Sequence, residues 1–199
     1  MQPAFLLLVI IIRKIKQVDT QELNIHAPLI EECRNGNRKA QYRLYNQYSK
    51  AMYNLAYRMT NNHEDAEDIL QETFIDCFRN IATFRYESTF GAWLKAILIN
   101  RSINHLKKRT IKFILTENLP DTTDENEEKE PIYDTARVFK CIEMLPDGYR
   151  VILTLYLLEG YDHMEISQIL GISESTSKSQ YSRAKDKLRK LLIKYGNHG

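Results

Sequence analysis

The side chains with the most directed chemistry sit in one short run, Glu174-Ser175-Thr176-Ser177-Lys178-Ser179-Gln180, and in the cations that follow it: Arg183, Lys185, Lys187, Arg189, Lys190 and Lys194. Small hydroxyls and amides at the start of a helix reach base edges and phosphates in a major groove. Cations farther along the same helix hold the phosphate backbone. Glu174 and Asp186 are the only acids in this stretch, so a phosphate-bearing partner is the leading expectation.

The residues before this run explain how it would be presented. In Met164-Glu165-Ile166-Ser167-Gln168-Ile169-Leu170-Gly171-Ile172-Ser173, the residues Ile166, Ile169 and Leu170 share a helical face. Gly171 can take the positive φ that ends the helix, and Ser173 can cap the next one. Tyr181, Ala184, Leu188, Leu191 and Leu192 form an apolar stripe that docks the second helix on its own domain. Leu145 to Leu192 therefore reads as a helix-turn-helix ending in a basic helix, a pattern that plain helical bundles also use.

A second set lies in the first half of the chain, which reads as a helical bundle from Ala27 to Arg109. Four helices are expected, roughly Pro28 to Arg34, Arg38 to Met59, His63 to Phe84 and Thr89 to Lys108. Leu44, Tyr48, Met52, Leu55, Ala56 and Met59 stripe the second; Ala66, Ile69, Leu70, Thr73, Phe74, Cys77, Phe78 and Ile81 stripe the third. The third opens on Asn61-Asn62-His63-Glu64-Asp65, whose acceptors and negative charge suit a helix N-terminus. Its outer face presents Asp65, Asp68, Gln71, Glu72 and Asp76, which by itself describes an ordinary solvated face. In the fourth, apolar Phe90, Trp93, Leu94, Ile97, Leu98 and Ile103 are interleaved with Asn100, Arg101, Asn104, His105, Lys107, Lys108 and Arg109. Amides beside cations again suit nucleic acid.

The net charge of +2 over 199 residues hides a strong alternation. From Arg85 to Lys112 seven cations face one acid, and from Glu117 to Asp134 eight acids face one cation. Asp121 to Pro131 follows Pro120 and has no large apolar residue to bury, so residues 111–134 are expected to be a flexible acidic linker between domains at 27–110 and 135–195. The apolar run Ala4 to Ile12 is too short to span a bilayer and lacks a basic leader and a small-residue cleavage site. Residues 1–26 read as an extension lying outside the folded unit, or as a short buried or interfacial helix.

Cys33, Cys77 and Cys141 are odd in number and far apart, with no Cys-x-x-Cys pair. Neither a disulfide framework nor a zinc site is expected, and a reducing cytoplasm is the expected setting. His26, His63, His105, His163 and His198 are scattered singly and read as surface or capping residues. No Gly-rich phosphate loop and no nucleophile with a base is recognisable, so no catalytic residue, metal or cofactor is expected.

The run Asp65-Ala66-Glu67-Asp68-Ile69-Leu70-Gln71-Glu72-Thr73-Phe74, followed by Phe84-Arg85-Tyr86-Glu87-Ser88-Thr89-Phe90-Gly91-Ala92-Trp93-Leu94-Lys95-Ala96-Ile97-Leu98-Ile99-Asn100-Arg101, resembles region two of the bacterial sigma factors, most of all the compact extracytoplasmic-function group. Leu145-Pro146-Asp147-Gly148-Tyr149-Arg150-Val151-Ile152-Leu153 and the helix-turn-helix after it resemble region four of the same group. The resemblance implies an all-α fold in two domains and a protein that directs core RNA polymerase to promoters and helps melt them. It implies that Asp65, Asp68, Gln71 and Glu72 hold the clamp helices of the largest polymerase subunit. Residues 83–90, with Arg85 and Tyr86, match the loop that captures an unstacked base of the minus-ten element, and Asn100, Arg101, Asn104, Lys107 and Lys108 match the helix along that element. Ser175, Thr176, Lys178, Ser179, Gln180, Arg183 and Lys185 are then the minus-thirty-five readers. Further implied partners are the polymerase flap and an anti-sigma factor, with no small-molecule substrate. One departure stands out: where the family commonly has Gly-Thr-Val-Lys-Ser-Arg, this chain has Ser175 to Gln180. The amide of Gln180 replaces an arginine, which implies an altered base preference.

Two other readings compete. A two-component-output regulator shares the helix-turn-helix but carries an α/β receiver or sensor, and no strand-helix alternation appears before Ala136. A helical enzyme or adaptor would need convergent catalytic residues.

Overall fold

The computed structural model describes residues 26–109 and 135–196, which form helices and turns with no strand among the described residues. The expected extension, apart from His26, and the expected acidic linker lie outside the described residues, as does His198. The helices are α1 (Ala27–Arg34), α2 (Arg38–Thr60), α3 (His63–Asn80), α4 (Phe90–Arg109), α5 (Thr135–Glu143), α6 (Asp147–Leu153), α7 (His163–Leu170) and α8 (Glu174–Gly196). They fall into two compact units, α1–α4 and α5–α8.

In the first unit α3 packs on both α2 and α4, while α1 packs on α2. The stripes read from sequence supply the core: Leu44, Met52, Leu55, Ala56 and Met59 from α2, Ala66, Ile69, Leu70, Phe74 and Cys77 from α3, and Phe90, Leu94, Leu98 and Ile103 from α4 are all buried. Each large apolar side chain withdrawn from water contributes about 1.5–3 kcal/mol, which is what holds short helices in place. Ile99 and Leu106, not in the expected stripe, are buried as well, whereas Trp93, Ile97 and Phe78 are only half-buried. Gly91 lets α2 and α4 approach, because a Cβ there would lie 3.1 Å from the Tyr48 ring. Asn37 caps α2 by accepting from the amides of Lys39 and Ala40, and Asn62 caps α3 by accepting from Asp65.

The third helix ends earlier than the sequence suggests. It stops at Asn80, and Ile81–Thr83 form a tighter 3-10 turn. Thr83 Oγ1 donates to the Asn80 carbonyl at 2.7 Å, and the Arg34 guanidinium of α1 binds the carbonyls of Ile81 and Phe84. Carbonyls held from outside are lost to the α-helical ladder, and apolar spacing alone does not reveal that.

In the second unit α8 packs against α5, α6 and α7. Its core is Cys141, Ile142, Leu145, Val151 to Leu153, Leu155, Leu157, Ile166, Leu170, Ala184, Leu188 and Leu192. α6 continues into a wider π turn at Thr154–Leu158. Asp162 and Glu165 form a reciprocal capping box at the start of α7, each side chain accepting from the other's backbone N–H at 2.8 Å. Arg150 is buried with its guanidinium donating to the Leu145 carbonyl at 2.8 Å and to Asp147 at 2.5 Å, tying the start of α6 to the loop before it.

Candidate nucleic-acid interface

The turn between α7 and α8 forms as its residues dictate. Gly171 has φ +72° and its N–H reaches the Ser167 carbonyl at 2.9 Å, while Ser173 Oγ accepts from the Thr176 amide at 3.0 Å. α8 thus begins with its polar turn outward. Ser175, Lys178 and Ser179 are exposed, and Ser182, which the sequence reading passed over, extends the same exposed row of short hydroxyls. Thr176, Gln180, Arg183 and Lys185 are half-buried at its flanks. Thr176 is drawn toward the Ser173 hydroxyl at 2.7 Å, and the Lys185 ammonium lies 5.3 Å from the centre of the Tyr181 ring. Lys178 meets Glu174 at 2.7 Å, an exposed i,i+4 pair worth only a few tenths of a kcal/mol, which a phosphate readily outcompetes.

Ser177 is fully buried in the same turn and hydrogen-bonds His163 Nδ1 at 2.9 Å. His163 stacks on Tyr156 with ring centres 4.6 Å apart, and Tyr156 packs on Tyr181 at 4.3 Å. The reading of every histidine as a surface or capping residue fails here: His163 is a wedge joining the π turn, α7 and α8. Burial, with Lys178 nearby, pushes its pKa below the usual value.

The acidic face of α3 divides in two. Asp68, Gln71 and Glu72 are exposed, but Asp65 and Asp76 turn toward α4. Asp65 holds His105 Nε2 at 3.0 Å, while Arg101 reaches Glu72 at 2.9 Å and also binds Asp76. The hydrogen bonds that the Arg101 guanidinium donates to Asp76, opposed by some desolvation, raise the Arg101 pKa. Arg101 thus lies across α3, apart from Asn100, Asn104, Lys107 and Lys108, which are exposed along the outside of α4. The exposed part of the α3 face also carries Ile75, 49% exposed and one turn beyond Gln71 and Glu72. An apolar side chain among acids on an open face is a signal for docking that a search for acids overlooks.

Between α3 and α4 Phe84 is buried, as is Phe90 at the start of α4, and Phe84 contacts Trp93 with ring centres 5.3 Å apart, so Phe84 belongs to the bundle. Arg85, Glu87 and Ser88 are exposed. Tyr86 is half-buried with φ +60°, a left-handed conformation that costs a non-glycine residue roughly 1–2 kcal/mol. Its hydroxyl donates to Glu31 Oε1 at 2.8 Å and the Arg34 guanidinium lies 5.2 Å from its ring centre. Burial, then the bond to Glu31, raises its pKa. Nothing in the sequence reading gave α1 a role, because these contacts join residues about fifty positions apart.

The three cysteines are buried thiols, and burial pushes Cys77 up to about 12. Among the described residues no group of three or more His, Cys, Asp or Glu could hold a metal, and no helix is long and apolar enough to cross a membrane.

Family models match in two places: sigma-70 region 2 over residues 44–111 and sigma-70 region 4 over residues 135–188. The ECF RNA polymerase sigma factor SigM of Bacillus subtilis is 30% identical over 151 residues, covering 74% of this chain and 92% of that protein. SigE of Mycolicibacterium smegmatis, also an ECF RNA polymerase sigma factor, is 33% identical over 162 residues; the match covers 77% of this chain and 62% of that longer protein. A solved structure of the sigma factor RpoE with the anti-sigma factor NepR from Bartonella quintana shares the fold, with a TM-score of 0.52 and 24% identity over 76% of this chain and 96% of that one.

Proposed function

This chain belongs to the extracytoplasmic-function group of the sigma-70 family, and from that premise we propose how its surfaces divide the work of transcription initiation. Residues 27–110 bind core RNA polymerase and engage the minus-ten element; residues 135–195 read the minus-thirty-five element. Asp68, Gln71, Glu72 and Ile75 make the polymerase contact on the open face of α3, with Asp65 supporting it from the α4 side. Asn100, Asn104, Lys107 and Lys108 follow the minus-ten strand, and the exposed loop residues beside Tyr86, Arg85 among them, receive an unstacked base. Ser175, Lys178, Ser179 and Ser182 face the major groove, flanked by Thr176, Gln180, Arg183 and Lys185. Arg101 acts differently from the other minus-ten residues: it braces α4 against α3. The family is regulatory and non-catalytic, and we assign this chain no reaction of its own. An anti-sigma factor and the polymerase flap complete its partners, in the cytoplasm.

The observation that carries this reading is that the exposed residues fall into the surfaces each role needs, on one scaffold whose family is established by similarity along both units. Adding the protein to purified core polymerase and sequencing transcripts from the source genome tests it. Initiation at a discrete set of sites sharing two spaced elements is expected, and transcription no different from core enzyme alone would refute it.

The charge of α8 also sets a number. Residues from 135 onward should bind promoter duplex weakly, with Lys178, Arg183 and Lys185 each steepening the fall of log affinity with log salt by about 0.9. Titration by fluorescence anisotropy across salt concentrations measures the slope, and a flat response would remove α8 from the DNA.

A further inference from the structure

One polar cluster is absorbed by none of these roles. Glu31 and Arg34 come from α1, yet nearly all their bonds go to the segment 81–86. Arg34 Nε donates to the Ile81 carbonyl at 3.3 Å, its Nη2 donates to the Phe84 carbonyl, and its Nη1 meets Glu31 Oε1 at 2.7 Å. The same Glu31 oxygen accepts from the Tyr86 hydroxyl at 2.8 Å, and the guanidinium lies beside the Tyr86 ring. Two carbonyls, a carboxylate and an aromatic ring thus converge on one planar fork, a geometry that lysine cannot reproduce. The segment they hold needs holding, since Tyr86 has φ +60° without being glycine. Its other anchor is Phe84, buried against Phe90 and Trp93. Between the two anchors, Arg85 is left exposed, and Glu87 and Ser88 follow it outward.

We infer that Arg34 and Glu31 are positioning residues for the loop between α3 and α4, and that through it they set how sharply the protein discriminates the unstacked base. The arrangement also gives Tyr86 a different part from that of a base-stacking platform: its hydroxyl latches the loop to α1, and the neighbouring exposed residues meet the strand. The inference rests on the base-capture reading of this loop. A loop free to sample several conformations accepts bases on stacking alone, whereas a fixed one holds its polar groups where only one base satisfies them.

Arg34→Lys keeps the charge and removes the fork; Glu31→Gln keeps an acceptor for Tyr86 and serves as the conservative variant. Trp93, the single tryptophan, packs against Phe84 and reports the loop without DNA present. With folding checked by thermal melting and polymerase affinity by pull-down, Arg34→Lys should red-shift Trp93 emission in the free protein. In holoenzyme, on promoters carrying each of the four bases at the captured position, it should flatten the preference in open-complex yield on the order of tenfold, the scale of one bidentate contact. Glu31→Gln should change both far less. Unchanged emission with unchanged preference overturns the inference. A shifted emission with unchanged preference overturns it too, and Arg85→Ala identifies which part failed: if that loop variant flattens the preference, positioning alone is refuted. If Arg85→Ala leaves the preference intact as well, the base-capture reading has failed.

Discussion

Replacing Asp68 and Ile75 together by lysine is expected to abolish recovery of core RNA polymerase while leaving the bundle folded. Both side chains are exposed on α3, where substitutions shift stability by about half a kcal/mol or less. At a complementary contact the same changes place two new cations against a basic partner and remove an apolar contact. Such juxtaposition costs several kcal/mol, and about 3 kcal/mol is already more than hundredfold in affinity. Glu72 is deliberately left intact, because its reversal would set a lysine against Arg101 and confuse docking with packing. A pull-down with core enzyme, paired with circular dichroism of each protein, measures the effect. Recovery equal to that of the unsubstituted chain would make this face ordinary solvated charge.

Asn100→Ala combined with Asn104→Ala is expected to cripple promoter opening far more than polymerase binding. The two amides stand one turn apart on the exposed side of α4, in line with Lys107 and Lys108, and neither contributes to the core. A well-placed side-chain contact to a base carries about 1–3 kcal/mol, so losing two lowers the fraction of open complex on the order of a hundredfold. Permanganate footprinting at matched holoenzyme concentration reads this directly. Lys107→Ala provides the contrast: it should weaken binding across all sequences and make the salt dependence shallower. Undiminished opening in the double variant would place those amides on an idle face.

How far the sequence reaches into this molecule follows from the separation of the residues involved. Gly171 and Ser173 specify their turn through a backbone conformation and a hydrogen bond within three residues, so both were readable in advance. The stripes of α2 and α3 were readable for the same reason, since one helical turn decides which side chains share a face. What escaped is non-local. Arg101 looks like a phosphate ligand in the sequence, and only folding brings Asp76 and Glu72, 25 and 29 positions away, to its guanidinium. Arg34 and Glu31 lie in a short helix with an unremarkable pattern, and their partners come from 47 to 55 residues away. Ser177 sits among exposed hydroxyls and points inward, where it hydrogen-bonds His163. The short hydroxyl row and Ile75 show the opposite case: their spacing was present in the sequence, but exposure gave it meaning.

The bridge from Arg101 to Glu72 and Asp76 bears on how this protein can change over generations. On the proposed polymerase contact, Glu72 answers to two demands, a partner outside the chain and the Arg101 guanidinium within it, so drift at that position would be penalised twice. The Asp76 carboxylate pairs with Arg101 alone of these positions, and its loss leaves the arginine dependent on Glu72, the residue proposed to meet the polymerase as well. Positions 72, 76 and 101 are therefore bound to vary as a set in descendants of this sequence, with an arginine at 101 kept only where at least one acid survives opposite it. The exposed amides one residue before and three residues after Arg101 carry no such obligation, and on their proposed minus-ten role a lineage acquiring a new promoter preference has its freedom there.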